Sequence, residues 1–214
     1  MAVRVASTIA ELDAGLADAR TDGRRVALVP TMGAIHDGHL GLAETAHEHG
    51  DLVAASVFVN PTQFGPGEDF ERYPRDLDRD VELLGSAGVD LVFAPEVEAI
   101  YPPGTENVMV DPGPLGQILE GEFRPTHFRG VLTVVAKLFA LVRPSAAVFG
   151  EKDYQQFVLV RKLARSLHTR VDVVGRPIVR DDDGLAKSSR NVYLSDAERK
   201  AALALSQALH DGAS

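Results

Sequence analysis

A chain of 214 residues that is 45% hydrophobic and 25% charged can build one sizeable core plus a small appendage, which excludes a disordered or fibrous protein. With 31 acidic residues against 22 basic ones the formal charge is -9, so a general nucleic-acid or anionic-membrane surface is excluded and any phosphate binding must be local. The absence of cysteine removes disulfides, thiolate metal sites and cysteine nucleophiles, leaving a hard cation such as Mg2+ on oxygen ligands as the plausible metal.

From the amino end, a first helix carries Glu11 and Asp13, which is not the character of a secretion signal. No apolar run approaches the roughly 18 residues that span a bilayer, so a cytoplasmic location is expected. A strand at Val26–Pro30 then runs through P-T-M-G-A-I-H-D-G-H into a helix at Gly38–Glu48. His36 and His39 stand at the start of that helix, past the carboxyl end of a parallel strand, where the helix dipole and free N–H groups favour an anion. Their imidazoles add donors with a pKa expected near neutrality, able to follow charge as it builds on a phosphate. His47 and His49, near the end of the same helix, read as structural.

The next strand, Leu52–Asn60, ends in N-P-T-Q, where Asn60 and Gln63 are neutral amides that orient a polar substrate without neutralising it. That distinction matters if a substrate carboxylate is the nucleophile, because a bidentate arginine would occupy the attacking lone pairs. A helix at Leu77–Ala87 and a strand at Leu91–Ala94 follow. Proline and glycine then crowd Tyr101–Gly116, predicting an excursion along the site with a short antiparallel piece at Val108–Val110.

A helix at Gly130–Val142 leads to a strand at Ala146–Phe149 and the string F-G-E-K-D-Y-Q-Q. There Lys152 can reach phosphate, Asp153 can accept from ribose hydroxyls, and Gln156, one turn on, points to the same mouth. With a helix at Asp153–Leu167 and a strand at Val171–Val174, the alternation predicts an α/β fold, a doubly wound Rossmann-like parallel sheet. After Val179 the character changes: Arg180–Gly184 is a turn, and G-L-A-K-S-S-R-N offers two hydroxyls and two cations that can close over a triphosphate from the opposite side. Ser195 and Glu198 form a capping box that opens a last helix rich in alanine and leucine.

Taken in order, P-T-M-G-A-x-H-x-G-H, F-V-N-P-x-Q-F, Y-P-R, P-T-H-F-x-G-V, F-G-E-K-D-Y-Q-Q and D-G-L-A-x-S-S-R-N resemble the pantothenate synthetases. That family belongs to the nucleotidyl transferases that share H-x-G-H with class I aminoacyl-tRNA synthetases. The resemblance implies ATP- and Mg2+-dependent joining of (R)-pantoate to β-alanine through an enzyme-bound pantoyl adenylate, with release of AMP and pyrophosphate. It also implies a homodimer with no nucleic-acid or membrane partner.

The family pattern puts the nucleotide against Met32, Gly33, His36, Gly38, His39, Gly150, Lys152, Asp153, Val179, Lys187, Ser188, Ser189 and Arg190. Of these, His36, His39, Lys152, Ser188, Ser189 and Arg190 stabilise the charge of the transition state. Gln63 and Gln156 match positions that hold pantoate, and β-alanine is expected near Asn60, Gln63, His127 and Arg190. Asp80 matches an acidic metal position after Y-P-R. Lys187 departs from the pattern, since that place is usually apolar, and as a second cation it should help the leaving group if it points inward. The implied division is a nucleotide- and pantoate-binding domain over 1–178 and the beginning of a carboxyl-terminal lid domain over 179–214. Family members continue into that lid, so a molecule ending at Ser214 is expected to turn over poorly and leak adenylate to water.

Overall fold

The structure, a computed structural model, describes residues 3–104 and 106–212. In chain order its regular elements are β1 (Arg4–Ala6), α1 (Ile9–Thr21), β2 (Val26–Thr31), α2 (Asp37–His49), β3 (Leu52–Val57), α3 (Leu77–Ser86), β4 (Leu91–Phe93), α4 (Val97–Ile100), α5 (Glu120–Phe123), α6 (His127–Val142), β5 (Ala146–Gly150), α7 (Tyr154–Ser166), β6 (Asp172–Arg176) and α8 (Asp196–Gly212). Among the described residues six strands form one sheet in the order β1-β4-β3-β2-β5-β6, and every pairing is parallel. The chain winds outward from β2 on one side and, after β4, crosses back to build β5 and β6 on the other. The carboxyl ends of β2 and β5 therefore flank the switch point, where open α/β sheets bind ligands.

The central strands form because both of their faces are covered, which makes their sequences continuous apolar runs. In β2, Val26 and Leu28 pack into one layer with α1, α6 and α7, while Ala27 and Val29 pack into the other with Leu42, Ala43 and Ala46 of α2 and Leu84 of α3. Helix α1 is set by a capping box: the Thr8 hydroxyl accepts from the Glu11 N–H and the Glu11 carboxylate accepts from the Thr8 N–H. The box expected at Ser195 and Glu198 also forms, and α8 follows it with no buried residue. Among the described residues no helix is long and apolar enough to cross a membrane.

Three expectations change. The sheet gains β1, an edge strand of three residues with Arg4 and Val5 exposed, too short to carry a pattern. The strand expected over Leu52–Asn60 stops at Val57, because Asn60 caps a 3-10 turn at Pro61–Gln63. Val108–Val110 makes no strand, and the Val110 N–H goes instead to the Thr133 hydroxyl of α6 at 2.9 Å.

Candidate active site

The loop after β2 is fixed from beneath by Asp80 of α3. Its carboxylate accepts from the Ala34 N–H at 2.9 Å and the Ile35 N–H at 2.7 Å. Gly33 has φ +83° and a Cβ there would press to 2.7 Å from an Asp80 oxygen, so the position needs glycine both for its backbone angle and for the approach. Asp80, expected as a metal position, thus holds two N–H groups of this loop. The carboxyl is buried, which raises its pKa against the lowering effect of the two N–H groups, and both its oxygens are already engaged. Among the described residues no three acidic or histidine side chains converge as a cation cage.

That loop delivers the two histidines as a cap on α2. His36 Nδ1 accepts from the Gly38 N–H at 3.1 Å, and His39 Nδ1 accepts from the His36 N–H at 3.3 Å, with the ring centroids 4.1 Å apart. An Nδ1 that accepts carries no proton, so each neutral ring presents Nε2–H as its donor. Burial, then the neighbouring His36 and Lys152, push the His39 pKa down to about 3, although part of the ring still faces the cleft. His36 is lowered too, chiefly by burial and by Lys152, with Asp37 opposing. The histidines are therefore neutral donors at pH 7 rather than the near-neutral titrating pair expected from sequence, because their walls disfavour a charge.

Around them lies a chamber of about 160 Å3. Its walls bring together Met32, His36, Gly38 and His39 from the first loop and helix, Gly150, Lys152 and Asp153 after β5, and Val179, Lys187, Ser188, Ser189 and Arg190 from the late segment. Gly33 lies behind this wall, against Asp80. Lys152 is held by Asp153 at 2.9 Å, at the exposed rim. The Lys187 ammonium is spoken for, lying 2.6 Å from an Asp37 oxygen and 3.0 Å from Asp181. The condition set for its help to a leaving group, that it point inward, is not what the ion pairs show: two carboxylates hold the charge, while the residue lines the chamber.

A second chamber of about 150 Å3 opens from the first and shares Met32, His39, Tyr73, Asp153 and Gln156 with it. It holds Gln63, whose amide donates to the Met32 sulfur at 2.7 Å, and an apolar wall of Phe58 with Val131, Val134, Val135 and Leu138 of α6. Gln63 and Gln156 thus meet as expected.

Asn60 and His127 line neither chamber. Asn60 spends its amide on Gln63 Oε1 and the Gly130 carbonyl, both at 3.2 Å, and its oxygen on Thr62. His127 Nδ1 sits 2.9 Å from the Gln63 carbonyl oxygen, and burial lowers its pKa. Both residues, expected beside β-alanine, thus hold the Gln63 turn. Gly130 makes this possible, since a Cβ there would collide with the Thr62 carbonyl.

Sequence reasoning missed Tyr73, which lines both chambers and pairs its hydroxyl with Ser189 at 3.1 Å, although the Y-P-R string marked the place. It also read the α6 wall only as helix, because spacing alone does not separate core from pocket. A larger, shallow hollow of about 610 Å3 between α7 and the start of β6 contains none of the expected residues. Its lining is arginine-rich and exposed and includes no glycine turn at a strand's carboxyl end, unlike the paired chambers.

The chain matches the family model described as pantoate-beta-alanine ligase over residues 4–214. It is 58% identical over 194 residues to the pantothenate synthetase of Thermobifida fusca, covering 88% of this chain and 66% of that protein. Its fold is similar to the crystal structure of pantothenate synthetase from Thermus thermophilus, with a TM-score of 0.90 at 57% identity over 97% of this chain and 73% of that one. It is also similar to the pantoate-beta-alanine ligase of Francisella tularensis complexed with beta-gamma ATP and beta-alanine, with a TM-score of 0.90 at 36% identity, covering 98% and 80% of the respective chains. The chain spans 60% to 73% of the length of the curated relatives it matches.

Proposed function

The chain belongs to the pantoate-beta-alanine ligase family, and from that premise we propose that it joins pantoate to β-alanine at the expense of ATP, by way of pantoyl adenylate. The observation that carries this reading is the union of a donor-rich chamber with an apolar one at His39, Asp153 and Gln156. The first chamber suits a triphosphate, with Nε2–H donors from His36 and His39, ammonium from Lys152, hydroxyls from Ser188 and Ser189, and guanidinium from Arg190. The second suits a small acid with a dimethyl carbon: the valines and Leu138 of α6 take the methyls, and Gln63 and Gln156 take the hydroxyls.

In the first step a pantoate carboxylate oxygen attacks the α-phosphorus, an O–P bond forms, and the bond to pyrophosphate breaks. His39 and His36 donate to the oxygens on which charge gathers, and neutral rings do this without giving up a proton. In the second step the β-alanine amine, once deprotonated, attacks the pantoyl carbonyl and AMP leaves. Positioning supplies most of the rate. Magnesium, if bound, would supply charge neutralisation to the triphosphate oxygens, with Asp80 as the acidic residue expected from sequence to serve it. The division near residue 178 and a lid role for 179–214 belong to this reading, supported by the place of β6 just before the boundary and by the unburied α8. So do a homodimeric state, measurable by sedimentation, and a cytoplasmic location.

The test is exchange of labelled pyrophosphate into ATP. Exchange that needs pantoate and proceeds without β-alanine supports the adenylate, and AMP release should then rise on adding β-alanine. Exchange independent of pantoate, or AMP release indifferent to β-alanine, would refute the ligase in favour of a simple adenylyl transferase.

A further inference from the structure

Arg190 reaches the nucleotide chamber from the late S-S-R-N segment, which has no strand beneath it to fix its direction. Its guanidinium is nevertheless held on two atoms. Nε donates to one Asp69 oxygen and Nη2 to the other, both at 2.8 Å, across 121 positions of chain. Asp69 precedes a 3-10 turn at Phe70–Arg72 and does not line either chamber. Its side chain is 15% exposed against 41% for that of Arg190, so the acid forms the inner half of the pair and the base the outer half.

The grip is supported on both sides. The guanidinium lies over the Tyr73 ring at 5.6 Å, Tyr73 pairs with Ser189 at 3.1 Å, and the Tyr193 hydroxyl donates to the Arg72 carbonyl at 2.9 Å. The segment from Asp69 to Tyr73 thus forms a seat for the segment from Ser189 to Tyr193.

We propose that Asp69 is a positioning residue for the nucleotide chemistry, holding Arg190 by its Nε and Nη2 edge so that Nη1 is the edge offered to a phosphate oxygen. The inference rests on the nucleotide reading above. A guanidinium has five N–H donors in a rigid plane, so fixing two of them fixes the direction of the other three. A free arginine in this segment would have to give up rotamer freedom as charge developed, whereas a seated one is already aimed. The carboxylate also cancels the net charge of the pair, so Arg190 acts through direction more than through bulk attraction. The pairing holds the Asp69 carboxyl below its ordinary range, and the Arg190 hydrogen bond is the largest cause.

The test is a double-mutant cycle of Asp69→Asn and Arg190→Ala, read on pantoate-dependent pyrophosphate release. Asp69→Asn is expected to lower kcat about 10- to 100-fold with the KM for ATP changed less than about threefold, and the double variant to be no slower than Arg190→Ala alone. Losses that multiply, or an Asp69→Asn enzyme as fast as or faster than the wild type, overturn the proposal. Should Asp69→Asn fail to fold, Asp69→Glu keeps the ion pair but displaces the guanidinium: lost kcat at an unchanged Tm supports positioning, and wild-type kcat overturns it. A readout independent of turnover separates this from failure of the ligase reading. In 15N-arginine-labelled protein the Arg190 Nη signals should be resolved by hindered rotation and average in Asp69→Asn, and ATP should move the Nη1 signal while leaving Nε. If the wild type shows no pantoate-dependent release, the ligase reading falls and these spectra decide the Asp69 proposal. Nη signals unaffected by either Asp69→Asn or ATP overturn it.

Discussion

Replacing His39 by asparagine isolates the electrostatic character of the histidine pair. Asparagine can still accept from the His36 N–H through Oδ1, so the cap on α2 survives while the titrating ring is lost. In the folded chain the ring has a pKa of about 3, against 6.5 for the free side chain. Above pH 6.5 neither state binds a proton there; below it the unfolded ring takes one that the folded ring refuses, so stability falls as the pH drops towards 3. Between about pH 7.5 and about pH 5.0 this one group should cost about 2 kcal/mol, a figure that holds for any folded pKa well under about 5. Urea unfolding of the wild type and of His39→Asn at both pH values measures it: the wild type should lose about 2 kcal/mol more than the variant. Equal losses in the two proteins, or a ring proton titrating near 6.5 by NMR, would refute the claim that the cleft keeps His39 neutral.

Asp80→Asn should destabilise the chain by about 1 to 3 kcal/mol, since an amide nitrogen would then face one of the two loop N–H groups, and chemical denaturation reports it. Lys187→Met should change ATP affinity less than about threefold by calorimetry, because Asp37 and Asp181 already hold that ammonium, whereas Lys152→Met should weaken it by about tenfold or more. A larger effect at Lys187 would show that it swings inward. Gly130→Ala should both destabilise the fold and raise the KM for pantoate, since the new methyl drives the Thr62 carbonyl and with it Gln63 out of place; a variant with normal Tm and KM would show that the turn yields freely.

The sheet was legible where its strands are covered on both faces. β2, β3 and β5 announce themselves as apolar runs, and the glycine turns after β2 and β5 mark the binding edge. Strand ends were harder, because Phe58 and Val59 continue the apolar run of β3 although the ladder stops at Val57 and Phe58 donates only to the Thr31 carbonyl. Within the site, the convergence of residues next to a strand's carboxyl end on one cavity was legible, because the fold leaves them little choice of direction. The bonds of Asn60 and His127 to the Gly130 and Gln63 carbonyls were not legible, because a polar side chain in a motif looks alike whether it turns to the cleft or to a neighbouring carbonyl. The reach of Asp69 to Arg190 links segments far apart in the chain, and no local pattern encodes it. The neutral state of His39 depends on walls supplied by other elements, so it too was out of reach.

The second chamber is walled by the same helix that closes one side of the sheet. Val131, Val134, Val135 and Leu138 belong at once to the core and to the pocket lining. Evolution or an engineer wishing to admit a bulkier acid must cut into residues that hold α6 down, at roughly 1 kcal/mol for each methylene removed. Acceptance of new substrates and tolerance of heat are therefore coupled traits here, and a stabilised background is the natural starting point for widening what this pocket takes.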